Sequence, residues 1–106
     1  CLIGMNAVVM DDVHVGAGCI VGALSFLKAG STWPERRIIA GNPAHIIGEV
    51  SDDMHAHKVE GTGIYQGLPA DCHTSLKEVE PLTEVPEHRP ATFPTFETWQ
   101  QRRKRG

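Results

Sequence analysis

No run of about 18 apolar residues, the length a helix needs to cross a bilayer, occurs in this 106-residue chain. A transmembrane helix is therefore excluded. The start also lacks the charged segment and apolar stretch that mark a secretory leader, and a soluble cytoplasmic protein is the expectation. Cysteine is scarce: Cys1, Cys19 and Cys72 are an odd number without Cys-x-x-Cys spacing, which indicates neither a disulfide framework nor a zinc ribbon. Positive charge is in deficit. Ten Lys and Arg stand against thirteen Asp and Glu, a formal net charge of -3, so no global basic field recruits nucleic acid. The one positive patch is the terminal QQRRKRG, which reads most simply as a solvated end.

What the sequence does have is a period of six. Cut from Ile3, it runs IGMNAV, VMDDVH, VGAGCI, VGALSF, LKAG. The first position holds Ile3, Val9, Val15, Val21 and Leu27; the second holds Gly4, Met10, Gly16, Gly22 and Lys28; the fifth holds Ala7, Val13, Cys19 and Ser25. A period of six fits neither a 3.6-residue helix nor a single alternating strand. It predicts a parallel β-helix, in which three short strands make a triangular coil of about 18 residues. First-position side chains point inward and stack on their equivalents one coil away. Glycine at the second position and a compact residue at the fifth are expected to let the chain pass its corners. Cys19 then reads as a small buried residue, and His14, at the sixth position, as a solvent-facing corner residue. An ordinary hairpin is disfavoured, because no Asn-Gly or Asp-Gly turn lies between Ile3 and Gly30.

The coil region is expected over residues 1–47. Its pattern is already running by Ile3 in a chain that opens on Cys1, and four and a half hexads make only about one and a half coils, whereas stacked repeats need about three or more. A fragment of a longer protein is expected; the alternative is a β-helix open at its first edge.

A helical segment is expected over 48–82. Ser51 suits the N-cap, with Asp52 and Asp53 favourably placed against the helix dipole. Tyr65, Leu68, Cys72, Leu76 and Val79 are spaced as an amphipathic stripe that packs on the coils or on a neighbouring subunit. Gly61, Gly63, Gly67 and Pro69 predict a break between about Gly61 and Pro69, since an interior proline deletes a hydrogen bond and clashes with the Tyr65 carbonyl. Residues 83–106 read as an irregular tail, its Phe93, Phe96 and Trp99 without regular period, either docked or disordered.

The six histidines, His14, His45, His55, His57, His73 and His88, show no ligand spacing. His55 and His57 are two apart on a helix, nearly opposite one another, whereas a shared metal needs three or four. No metal site is expected within the chain.

The hexad run IGMNAVVMD, with IVGA at 20–23, KAG at 28–30, GNPA at 41–44, GT at 61–62, YQ at 65–66, Cys72, SL at 75–76 and PL at 81–82, resembles the second half of the gamma-class carbonic-anhydrase-like hexapeptide family, in the branch of PaaY and CaiE. The resemblance covers residues 1 to about 88; GxPA alone is shared with hexapeptide acyltransferases. It implies a homotrimer of left-handed β-helices, each closed by a C-terminal helix, with zinc held between subunits by three histidines. Two of those lie in a GHxxxxH segment one coil earlier, upstream of Cys1. The positions one coil later are Met5 and Met10, so the resemblance gives the parent protein a zinc site and this chain none. It also implies that Tyr65 approaches the zinc-bound water. The reaction implied for the parent is zinc-dependent hydrolysis of a CoA thioester, or of CO2 as in carbonic anhydrase. Transfer from acyl-CoA with a histidine base and a CaiE-like accessory role without catalysis are the alternatives. No independent catalysis is expected of this chain, and neither a nucleic-acid nor a membrane partner.

Overall fold

The computed structural model describes residues 1–89 and 96–106; Phe93, named above in the tail, lies outside them. Six two-residue strands follow one another: β1 Leu2–Ile3, β2 Val8–Val9, β3 His14–Val15, β4 Ile20–Val21, β5 Phe26–Leu27 and β6 Thr32–Trp33. The first three each pair in parallel with the strand three places on, Ile3 with Val21, Val9 with Leu27 and Val15 with Trp33, a constant offset of 18 residues. That register is the predicted coil: three strands per turn, three flat faces, and a partial parallel β-helix. β7, Arg37–Gly41, continues the register by pairing Ile38 and Ile39 with Ile20 and Val21. The period thus persists past Leu27 through Trp33 and Ile39, and the stack holds two coils and the start of a third rather than one and a half. Trp33 hid the continuation, because an aromatic occupies the place of an aliphatic.

Burial along the first hexad position shows the stack forming a core. Ile3 and Val9 are 49% and 45% exposed, while Val21, Leu27 and Ile39 fall to 1%, 0% and 0%. The fifth position points inward as well: Cys19 and Ser25 are buried. Cys19 Sγ donates to the Pro34 carbonyl at 3.0 Å and accepts from the Arg37 N–H at 3.5 Å.

The corners are not where the second and fifth positions suggested. The left-handed backbone region is occupied at every sixth residue, by Asn6, Asp12, Gly18, Leu24, Gly30 and Arg36, which is the fourth hexad position. Asn, Asp and Gly tolerate that region best. His14 accordingly lies in strand β3, facing out, and not at a corner. Glycine at the second position answers a different need. A Cβ on Gly4 would run into the backbone of Ala23, and one on Gly16 into the backbone of Glu35, so these glycines let successive coils approach.

Leu24 is the misfit. It sits at φ +61° with its side chain 71% exposed, so it bears the cost of a branched side chain in this region without burial in return. Leu24→Asn is expected to raise stability by about 1 kcal/mol, read as a higher denaturant midpoint at unchanged m-value. A midpoint that falls would mean that the exposed leucine makes a contact worth more than the strain.

After β7 the chain reverses through Asn42 and Pro43 into β8, Ala44–Glu49, which pairs antiparallel to β7 and makes the sheet order β1-β4-β7-β8. β8 covers a strand edge that would otherwise be left with unpaired backbone groups. Ala44, at its start, and Val50, just past its end, are buried, while Ile46 and Ile47 face outward.

Helix α1 spans Asp52–Ser75. Ser51 caps it as expected, its Oγ accepting from the Met54 N–H at 3.2 Å, and Asp52 pairs with Arg36 at 2.6 Å. At its far end Thr74 and Ser75 hydroxyls donate to the carbonyls of Ala70 and Asp71. The expected break between Gly61 and Pro69 is absent: α1 is one continuous helix with Pro69 inside it. Proline removes a single donor, and its fixed φ is itself helical, while glycine lowers helix propensity without forbidding the conformation. The stripe is shorter than its spacing suggested, since Leu76 and Val79 follow the end of the helix; Tyr65, Leu68 and Cys72 lie exposed on it.

The tail expected to be irregular contains helix α2, Trp99–Arg105. Thr98 and Gln101 form a capping box at its start, and the Gly106 N–H closes its end on the Arg102 carbonyl. The chain divides into two compact units, residues 1–58 and 59–106. No described helix is long and apolar enough to cross a membrane.

Candidate functional site

Tyr65, the one residue to which the resemblance gives a role, is the only tyrosine of the chain. Its side chain stands 75% exposed on α1. Gly61 lies four residues before it and so on the same helical face. The segment 96–106 meets the helix at that level. The Phe96 ring lies against Gly61, 3.3 Å from where a Cβ would stand, and Arg102 pairs with Glu60 at 3.5 Å. Gly61, expected only to weaken the helix, in fact makes room for an aromatic ring.

Arg105 is held by Glu97 at 3.0 Å. Two of the four cations of α2 therefore face carboxylates. The other two, Arg103 and Lys104, line a cavity of about 290 Å³ together with Gln100. A second hollow is lined by Leu82 to Pro86 and Arg89. Reading the terminal RRKR as a plain solvated end missed this division into paired and presented charges. The signal that pointed to an ordered tail was Thr98-x-x-Gln101, a helix-start pattern.

The histidines are dispersed. His14 and His45 are exposed on strands β3 and β8, His55 and His57 are half-buried in α1, and His73 and His88 are exposed. The His55 ring covers the Gly18 corner, its Nδ1 3.6 Å from the place of a Cβ there. Among the described residues no three of His, Cys, Asp and Glu gather as ligands for a metal ion. The described side chains therefore do not by themselves assemble a zinc centre.

Residues 1–29 match the family described as bacterial transferase hexapeptide (six repeats). The chain is 44% identical over 89 residues to the carnitine operon protein CaiE of Escherichia coli O7:K1, an alignment covering 84% of this chain and 45% of that protein. CaiE of Salmonella agona is 43% identical over the same length and coverage. The chain thus spans about half the length of the curated relatives it matches. Among solved structures, a Bacillus cereus protein provisionally described as an acetyltransferase superposes with a TM-score of 0.61 at 26% identity, over 72% of this chain and 44% of that one. An 18-residue coil register, a matched hexapeptide segment and sustained identity from the coils into α1 converge: the chain carries hexapeptide repeats and is similar over most of its length to CaiE.

Proposed function

We propose that this chain is the coil-and-helix half of a trimeric, left-handed hexapeptide protein that acts on acyl groups carried by coenzyme A. The observation that carries this reading is the likeness of its fold to a provisionally described acetyltransferase, joined to a transferase hexapeptide match in the coils. The chemistry is displacement at a thioester carbonyl. An acceptor oxygen or nitrogen attacks, the C–S bond breaks, and the coenzyme leaves as a thiolate that takes up a proton, while the acceptor gives one up to a base. With water as acceptor the same displacement is thioester hydrolysis, the PaaY-like reaction, and the GT and YQ pairs around Tyr65 favour that version. In it the Tyr65 hydroxyl hydrogen-bonds the attacking water. A zinc ion in that version would have to be held by residues other than the described ones, and would supply an activated water. CO2 hydration would draw on the same water.

A second reading rests on the 44% identity to a carnitine operon protein: an accessory trimer without catalysis of its own. Both are tested by following coenzyme A release from acetyl-CoA and phenylacetyl-CoA by the protein that carries this chain, with and without amine and alcohol acceptors, alongside its mass in solution. Release without acceptor means hydrolysis, and Tyr65→Phe should then lower kcat about tenfold, the scale of one lost hydrogen bond. Release only with acceptor means transfer. No release from a well-formed trimer overturns the enzymatic reading and favours the accessory one.

A further inference from the structure

The two helical faces of α2 carry different duties. Residues 100, 103 and 104 are spaced i, i+3 and i+4 and share one face, while 102 and 105 fall on the opposite side. On that opposite side Arg102 meets Glu60 and Arg105 meets Glu97, and Phe96 anchors the segment on Gly61. Docking on α1 thus uses Arg102, and a pair within the segment itself uses Arg105. Arg103 and Lys104 are left with no carboxylate partner among the described residues, both exposed, both lining the same cavity, with the Gln100 amide beside them.

We propose that Gln100, Arg103 and Lys104 form a binding site for the diphosphate group of a nucleotide cofactor. Charge and geometry match that ligand. A diphosphate diester carries two negative charges against the two cations. The guanidinium fork grips two oxygens of one phosphate, the ammonium serves the other as a point charge, and the amide donates a neutral hydrogen bond. At about 290 Å³ the hollow falls just short of the range for sites that enclose a whole small molecule, a size suited to the diphosphate group alone. Naming the cofactor as the acyl carrier rests on the acyl-CoA reading above; the diphosphate site itself does not.

The test is calorimetric titration of the protein with inorganic pyrophosphate, ADP and AMP near physiological salt, where diffuse attraction is screened. Pyrophosphate and ADP should bind one per chain, AMP at least about tenfold more weakly. The double variant R103A/K104A should weaken pyrophosphate about tenfold, with Arg89→Ala, at a different hollow, unchanged. Where R103A/K104A loses helical signal, R103Q/K104Q removes the charges while keeping good helix formers. AMP binding as tightly as ADP, or pyrophosphate binding untouched by either double variant, overturns the proposal. So does charge-sensitive binding of duplex DNA or anionic vesicles with no heat from pyrophosphate or ADP. Pyrophosphate binding without any acyl-CoA turnover would leave this site standing and remove the acyl-CoA reading. Turnover with no pyrophosphate binding would do the reverse.

Discussion

Ile39→Ala is expected to destabilise the protein by about 3 to 4 kcal/mol, near the middle of the range for emptying a fully buried aliphatic site. Ile39 has no exposed surface and belongs to the cluster with Cys19, Val21, Leu27 and Ala44. It also pairs with Val21 on one side and Ile46 on the other, so the truncation loosens the junction of the second coil, the third and the β8 cover. The cavity cannot collapse readily, because the surrounding backbone is tied into a parallel ladder. Urea unfolding measures the loss, with Ile47→Ala as the comparison, since Ile47 is 67% exposed and should move the midpoint little. Equal effects from the two would mean that the coil interior does not carry the stability of this unit.

Gly16→Ala should be nearly as damaging, about 2 to 3 kcal/mol, for the opposite reason: one carbon too many. A Cβ there meets the backbone N of Glu35, which no side-chain rotation relieves, while the Gly16 N–H is held to the Trp33 carbonyl at 2.9 Å. The coils must separate locally or the ladder must break. Gly63→Ala supplies the contrast. It lies within α1 with nothing near its would-be Cβ, and alanine there should gain up to about 1 kcal/mol of helix propensity. Thermal melts of the two variants moving in opposite directions is the expected result. A harmless Gly16→Ala would show that the spacing between coils is softer than the ladder implies.

The coil was legible because its determinants are local and repeated. Ile3, Val9, Val15, Val21 and Leu27 recur at six, and the backbone pairing at 18 follows from three such steps. The corner assignment failed because a glycine has two uses that sequence does not separate: Gly18 and Gly30 supply positive φ, whereas Gly4 and Gly16 make room for a neighbouring backbone. The β7–β8 hairpin was not anticipated, since its partners are chosen by an edge that exists only once the coils are stacked. For α1, the start was readable from Ser51 and the two aspartates, but Pro69 carried too much weight. Its cost in a host peptide describes a free energy, not a prohibition. Tyr65 entered by resemblance alone; its exposed position on α1 adds no contact that composition or spacing could have foretold. The site on α2 stayed hidden because sequence shows four neighbouring charges and not which of them find a partner.

The constant coil register also sets how this chain can change in length. Every inward side chain owes its direction to a place in a cycle of 18 residues. Deleting or duplicating one whole cycle returns each strand to an equivalent neighbour and alters only the height of the stack. An insertion of one residue inside a strand instead turns the following side chain from core to solvent and throws the corner residues out of the left-handed region they occupy at every sixth place. Relatives built on this register should therefore differ in length by whole coils within the stack and by arbitrary amounts only beyond β8, where no ladder keeps count.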